Sequence, residues 1–272
     1  MLDNWGYLLF FSFFVIFYGF CQDTVLFPVL AILWKKRYTI KKHHTFPQCR
    51  KVSFMTYEQI QKDPAIRVYI TQANASLATL GFTEHSFPHV SRVAEMAGYL
   101  LSTLGYPERT VELAKIAGYL HDIGNLVNRI EHSQSGAVMA FRILDHMGFD
   151  PEEIATICTA IGNHDEGTGV PVNAVAAALI LADKSDVRRS RVQNPDIHTF
   201  DQHDRVNYSV TKSELKINEA HTIVKLKLSV DTRFGSVMDY FEIFMGRMLM
   251  CRKAARTLGL EFKLIINEQP LD

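Results

Sequence analysis

The 272-residue chain lacks a surplus of either charge: Lys and Arg total 29, and Asp and Glu total 29. No net field draws it to nucleic acid or to an acidic partner, so a charged ligand must be recognised locally. A stripe of basic and aromatic residues is also missing, which argues against long nucleic acid as a substrate. Cysteine is scarce. The four present, Cys21, Cys49, Cys158 and Cys251, show no Cys-x-x-Cys spacing. That argues against a disulfide framework or a zinc-thiolate site and fits a reducing cytosolic setting. Internal repeats and low-complexity segments are absent. Apolar residues are plentiful, at 47%, enough for a full core in one main domain with an appendage.

Residues 5–34 form one long apolar tract, broken only at Gln22-Asp23-Thr24 and followed by Lys35-Lys36-Arg37, Lys41 and Lys42. The tract is long enough to span a bilayer once with some tilt, and the basic flank would leave everything downstream on the cytoplasmic face. It is too long for a signal peptide, and no Ala-x-Ala-like cleavage site follows. Two readings of residues 1–54 stand side by side: a single membrane anchor with a basic linker, or an upstream extension of a protein that starts at Met55.

Residues 55–193 read as a helical domain. Gly105-Tyr106-Pro107 and Gly148-Phe149-Asp150-Pro151 close one helix and open the next, with Asp150 as N-cap and Pro151 at the first helical position. Val111, Ala114, Ala117, Leu120 and His121 keep the spacing of one buried face, which aims His121 inward. The texture changes in residues 194–272. Ser213 to Ile217 and Thr222 to Val230 alternate with the period of strands, a helix spans Ser236 to Leu258, and Phe262 to Ile266 reads as another strand. The expected fold is therefore mainly α, with a small C-terminal α+β appendage. The stripe Met238, Tyr240, Phe241, Phe244, Met245 and Met248 suits the core face of that last helix or a contact in a homo-oligomer.

The chemistry-bearing residues sit where apolar ones usually do. His121-Asp122 closes the run Ile116-Ala117-Gly118-Tyr119-Leu120, and an unpaired carboxylate there would cost roughly several kcal/mol unless a cation or a dense hydrogen-bond shell met it. His89 lies near the start of an amphipathic helix just after Pro88, and Asp183 ends the apolar run Leu179-Ile180-Leu181-Ala182. Two imidazoles and two carboxylates make a mixed N/O set suited to Mn, Fe, Ni, Co, Zn or Mg.

The ordered set His89, His121-Asp122 and Asp183 resembles the HD superfamily of metal-dependent phosphohydrolases. The likeness runs from about Thr83 to Val192 and rests on Phe-Pro-His-Val-Ser-Arg-Val-Ala, Tyr-Leu-His-Asp-Ile-Gly and Leu-Ala-Asp-Lys around these residues. It implies an HD-type helical bundle, one or two divalent metal ions, and hydrolysis of a phosphate ester of a nucleotide or small phosphorylated metabolite by a metal-activated water. His132, in His-Ser-Gln-Ser-Gly-Ala, and His164, in Asn-His-Asp-Glu, are similar to the histidines that hold a second metal in binuclear members, the latter in the distantly similar HD-GYP phosphodiesterases. Asn125 stands where the family usually has lysine, and Asn163 where the HD-GYP branch has a histidine.

The metal ligands implied are thus His89, His121, Asp122, His132, His164 and Asp183, with His121, Asp122 and Lys184 as the catalytic group. A cation lowers the pKa of bound water from ~15.7 toward ~7, and Asp122 would bridge two of them. Lys184, Arg188, Arg189 and the nearby Arg191 are candidate phosphate clamps, Asp186 a residue that orients one of them, and His85 a substrate contact. The rival expectations are a catalytically weak nucleotide- or metal-binding signalling module, and HD-type di-iron oxygenase chemistry on similar ligands.

Overall fold

The computed structural model describes residues 55–271. The apolar tract at residues 5–34 lies outside them, and among the described residues no helix is long and apolar enough to cross a membrane.

Short polar caps set the helices. Thr56 and Gln59 form a capping box at the start of α1 (Tyr57–Lys62), and Asp63 caps α2 (Pro64–Thr79), with Pro64 in its first turn. Then follow α3 (Phe87–Thr103), α4 (Glu108–Leu120), a 3-10 turn over Ile123–Leu126 and α5 (His132–Met147). Gly148 ends α5 in the left-handed conformation that glycine tolerates best, and the Asp150 carboxylate caps α6 (Pro151–Gly162). Asn173 caps α7 (Ala174–Ser185), which is buried from Val175 to Ser185. A helix apolar on all sides is stable only inside a bundle, and α3, α4, α6 and the C-terminal helix all pack on α7. The shared core includes Val93, Leu100, Ile116, Leu120, Leu144 and Ile161, each contributing about 1.5–3 kcal/mol if fully buried.

The chain then makes two 3-10 turns, Arg189–Arg191 and Ile197–Thr199, and a short helix α8 (Gln202–Ser209). A four-stranded sheet ends it, in the order β1 (Val210–Ile217), β2 (Ile223–Val230), β3 (Glu261–Ile266), β4 (Gln269–Leu271). β1–β2 and β3–β4 pair antiparallel; β2–β3 pair parallel. A parallel neighbour needs a long crossover, and α9 (Val237–Thr257) supplies it. Tyr240, Phe244, Met248 and Cys251 of α9 are buried, while Met238 and Met245 of the same stripe are exposed. The sheet is tied to the bundle where Ser213 donates its hydroxyl to the Ser185 carbonyl (2.6 Å) and Arg92 donates to the Ser213 carbonyl (3.0 Å).

Two close approaches set the spacing of the histidine-bearing segments. Gly118 lets α4 lie against the backbone of Ala94 on α3. Gly124 lets the 3-10 turn lie against the first turn of α5: a Cβ there would fall on the His132 carbonyl oxygen and the Gly136 amide nitrogen.

Candidate metal centre

Five imidazoles share one orientation rule. His85, His121, His132 and His164 each hold Nδ1 against a backbone carbonyl, of Thr83 (2.6 Å), Gly118 (2.8 Å), Arg129 (3.1 Å) and Ile161 (2.6 Å). His89 holds Nδ1 against the Asp186 carboxylate at 2.8 Å. A carbonyl or carboxylate oxygen only accepts, so Nδ1 carries a proton in each ring and Nε2 is turned away from that contact; in a neutral ring Nε2 keeps its lone pair.

Four of these Nε2 atoms converge on two carboxylates. His89 Nε2 lies 3.4 Å from both Asp122 Oδ2 and Asp183 Oδ1; His121 Nε2 lies 3.0 Å from Asp122 Oδ2 and 3.7 Å from Asp183 Oδ1. On the other side of Asp122, its Oδ1 is 3.5 Å from His132 Nε2, which is 3.2 Å from His164 Nε2. Asp122 thus faces one His pair with each oxygen.

The residue types and spacing fit a divalent cation. Nε2 of both His89 and His121 is buried with no hydrogen-bond partner among the described residues: the nearby carboxylates are within reach but not aligned. Donor atoms of His89, His121 and Asp183, and of His121, Asp122 and His164, lie within 4.8 Å of one another. Ligands placed about 2.0–2.2 Å from a shared ion fall within that span. His132 and His164 make the point again, since two Nε2 lone pairs at 3.2 Å repel unless something positive lies between them.

Electrostatics points the same way. Burial would lower the His121 pKa, but Asp122 and Asp183 reverse that and push it up to about 10. Burial would raise both carboxylates; instead His121, with His85 and His89 also close, holds Asp122 well below the usual range, and Lys184 and His121 do the same for Asp183. Desolvation keeps His164 and His85 well below the ordinary histidine value, so both stay neutral donors. Asp122 and Asp183 thus stay ionised with His121 and Lys184 as their countercharges, and neutral imidazoles flank them.

A cavity of about 320 Å³ opens on the cluster, lined on that side by His85, Asp122, His132, His164 and Asp183. Four cationic side chains reach it: Arg129, Lys184, Arg191 and Arg247. Lys184 pairs with Asp183 (2.8 Å) and Glu166 (3.3 Å), and Glu166 also binds Arg247 of α9 at 2.7 Å. Burial would lower the Lys184 pKa, but these two carboxylates outweigh it and keep the ammonium charged. Asp201, Asp204 and Asn207, from the start and body of α8, and Phe82 line part of the rest.

The structure does not bring Arg188 and Arg189 into this cavity. After α7 the chain turns extended at Arg188, whose guanidinium goes to Asp186 (3.0 Å) and Glu84 (3.3 Å). Arg189 stacks on Tyr208, 4.4 Å from its centroid, and donates to the Tyr208 carbonyl. Both line a separate shallow groove. Asp186 turns out to orient His89 as well as Arg92 and Arg188. Of the four candidate clamps Lys184 and Arg191 do line the cavity, beside Arg129 and Arg247, which the sequence did not single out. Neither has a sequence signal of its own: one is a lone arginine in a turn, the other interrupts an apolar stripe. Asn125 donates to Asp122 Oδ1 at 2.9 Å, so it steadies the carboxylate without adding charge, and Asn163 folds back onto the Thr159 carbonyl.

Residues 87–189 match the family model described as HD domain. This segment is an HD domain. The HD segment spans α3 to α7 and so contains all six clustered residues. HD domains in general bind divalent metals and occur in metal-dependent phosphohydrolases, and the helical make-up of the matched segment agrees with that class; the C-terminal sheet lies beyond it. The chain is 26% identical over 185 residues to an uncharacterized protein of Methanocaldococcus jannaschii, covering 60% of this chain and 71% of that protein. It is 31% identical over 149 residues to Ribonuclease Y 1 of Pediococcus pentosaceus, covering 50% of this chain but only 26% of that enzyme's length. A crystal structure described as a predicted HD superfamily hydrolase, from an uncultured Thermotogales bacterium, aligns at 27% identity over 48% of this chain and 73% of its own, with a TM-score of 0.36. These matches concern the HD domain at large rather than the HD-GYP branch.

Proposed function

We propose that the HD domain is a metal-dependent phosphohydrolase acting on a phosphate ester of a nucleotide or small phosphorylated metabolite. The observation that carries this reading is the convergence of four Nε2 atoms, of His89, His121, His132 and His164, on Asp122 and Asp183 at the wall of a cavity that four cationic side chains also reach.

The residues divide the work. His89, His121, Asp122 and Asp183 would hold one divalent cation, and Asp122, His132 and His164 a second. A cation bound there supplies Lewis acidity toward a phosphoryl oxygen and acidifies a coordinated water. Lys184 is fixed between Asp183 and Glu166, so it keeps a positive charge at the ligand's edge without needing to move. Arg247, held by Glu166, and Arg129 present guanidinium groups that suit the planar, bidentate recognition of phosphate oxygens. Burial of the cluster makes each of these charges more effective than it would be in water.

A small substrate is favoured by the size of the cavity, about 320 Å³, which sits at the low end of small-ligand sites at roughly 300–1,000 Å³. The likeness to Ribonuclease Y 1 makes RNA the second substrate to try.

Metal content measured by mass spectrometry on the full chain, beside His121→Ala and Asp122→Ala, tests the proposal. One or two ions per chain, lost in both variants, with phosphate released from small esters in the presence of Mn(II), is the expected result. Absence of bound metal in the wild type after reloading would sink it.

A further inference from the structure

The cations of the cavity are not equivalent. Lys184 and Arg247 are neutralised by Asp183 and Glu166. Arg191 is buried and donates to the carbonyls of Glu84 and Asp186, both at 2.9 Å. Arg129 is different: among the described residues no carboxylate lies within ion-pair distance of it. Its guanidinium stacks on Phe82, 5.6 Å from the centroid, and NH1 rests on two neutral groups, Asn125 Oδ1 at 3.4 Å and His132 Nε2 at 3.3 Å.

The second of these contacts matters. His132 Nδ1 already donates to the Arg129 carbonyl, so Nε2 is an acceptor, and Arg129 NH1 is the donor standing on its lone pair. That lone pair is the one His132 would offer to a cation beside His164. The guanidinium and a second cation therefore compete for the same nitrogen, and they repel each other as like charges.

An oxyanion changes the balance. A charged acceptor draws an arginine about twice as strongly as a neutral one, and a phosphate can take two of its N–H groups at once. Both present contacts of Arg129 are long for N–H donors. Resting on the metal reading above, we propose that Arg129 is a phosphate-operated guard on the His132–His164 position. Without phosphate it occupies His132 Nε2; with phosphate it swings to the anion and frees that nitrogen, so that phosphate and the second cation bind together. The coupling is reciprocal, because what phosphate does for the cation the cation must do for phosphate.

Calorimetric titration of Mn(II) into the metal-free full chain, with and without inorganic phosphate, tests the guard. In the wild type one Mn(II) is expected to bind without phosphate and a second at least tenfold more tightly with it. Arg129→Gln removes the charge at a half-exposed position, so folding is spared. In that variant the second Mn(II) binds regardless of phosphate, and phosphate itself binds roughly tenfold more weakly. Arg129→Lys keeps charge but not the fork, and regains part of the phosphate affinity. Two sites filled in the wild type without phosphate, or an Arg129→Gln variant that behaves as wild type, would overturn the guard while leaving the metal reading intact. If the wild type binds no Mn(II), or His121→Ala binds it equally well, the metal reading itself has failed.

Discussion

Asp186 holds His89 by the ring nitrogen that faces away from the cluster: Oδ2 accepts from Nδ1 at 2.8 Å, while Oδ1 accepts from Arg92 and Arg188, each at 3.0 Å. One buried carboxylate therefore fixes both the tautomer of a proposed ligand and the side chains behind it.

Asparagine at this position has a single acceptor oxygen for two sets of donors. Either its amide faces the arginines, or it faces His89 and moves the imidazole proton to Nε2. Asp186→Asn is expected to lower metal affinity about 10–100-fold, the usual cost of losing such a partner. Competition with a chelating dye measures this, and an unchanged affinity would show that His89 is not held through Asp186.

Gly124→Ala tests the close approach of the 3-10 turn to α5. The new methyl meets backbone atoms of His132 and Gly136, which cannot rotate away. A loss of about 1–3 kcal/mol in urea unfolding is expected from the overpacking, with metal lost first from the His132–His164 side. A fully stable variant with full metal content would mean that α5 shifts freely.

Removal of metal should be visible in stability alone. At a hundredfold excess over its Kd a bound cation contributes about 2.7 kcal/mol, so chelation lowers the melting temperature and Mn(II) restores it. In Asp122→Ala the metal is expected to make no difference to melting. A variant stabilised by Mn(II) to the wild-type extent would remove Asp122 from the ligand set.

Lys184 and Arg189 should separate burial from surface packing. Lys184→Met strips a buried cation from Asp183 and Glu166, with an expected loss of about 3–5 kcal/mol in the metal-free protein. Arg189→Ala loses a stacking contact of about 0.5–1 kcal/mol and leaves KM for a phosphate ester unaltered. A raised KM in Arg189→Ala would return that residue to substrate binding.

Much of this was legible in the sequence because metal ligands and helix periodicity obey fixed spacing. His121 falls on the same face as Ala114 and Ala117, so its inward aim follows from counting. Asp150 and Pro151 mark a helix start by residue type alone, and the structure places it there. The strands and helix after residue 210 are visible in their periods, whereas β4, with only Gln269, Pro270 and Leu271, is too short to show one. The cations of the cavity were legible only in part: Lys184 and Arg191 line it as the sequence suggested. Arg188 and Arg189 follow Asp183 within two turns' length of chain, yet the extended backbone after α7 carries them elsewhere. Arg247 reaches the cavity from 64 positions downstream of Asp183, counting 247 minus 183, through a pairing with Glu166 that no local pattern announces.

The crossover helix gives the site an order of assembly. Every clustered His and Asp has been synthesised by residue 183, but Arg247 belongs to α9, which packs on α7 and leads into β3. A nascent or shortened chain ending before α9 carries the whole cluster with one wall of its cavity missing. The pocket is thus completed only after the cluster that it encloses has been made, and a lesion in an element remote from the histidines would be felt among them.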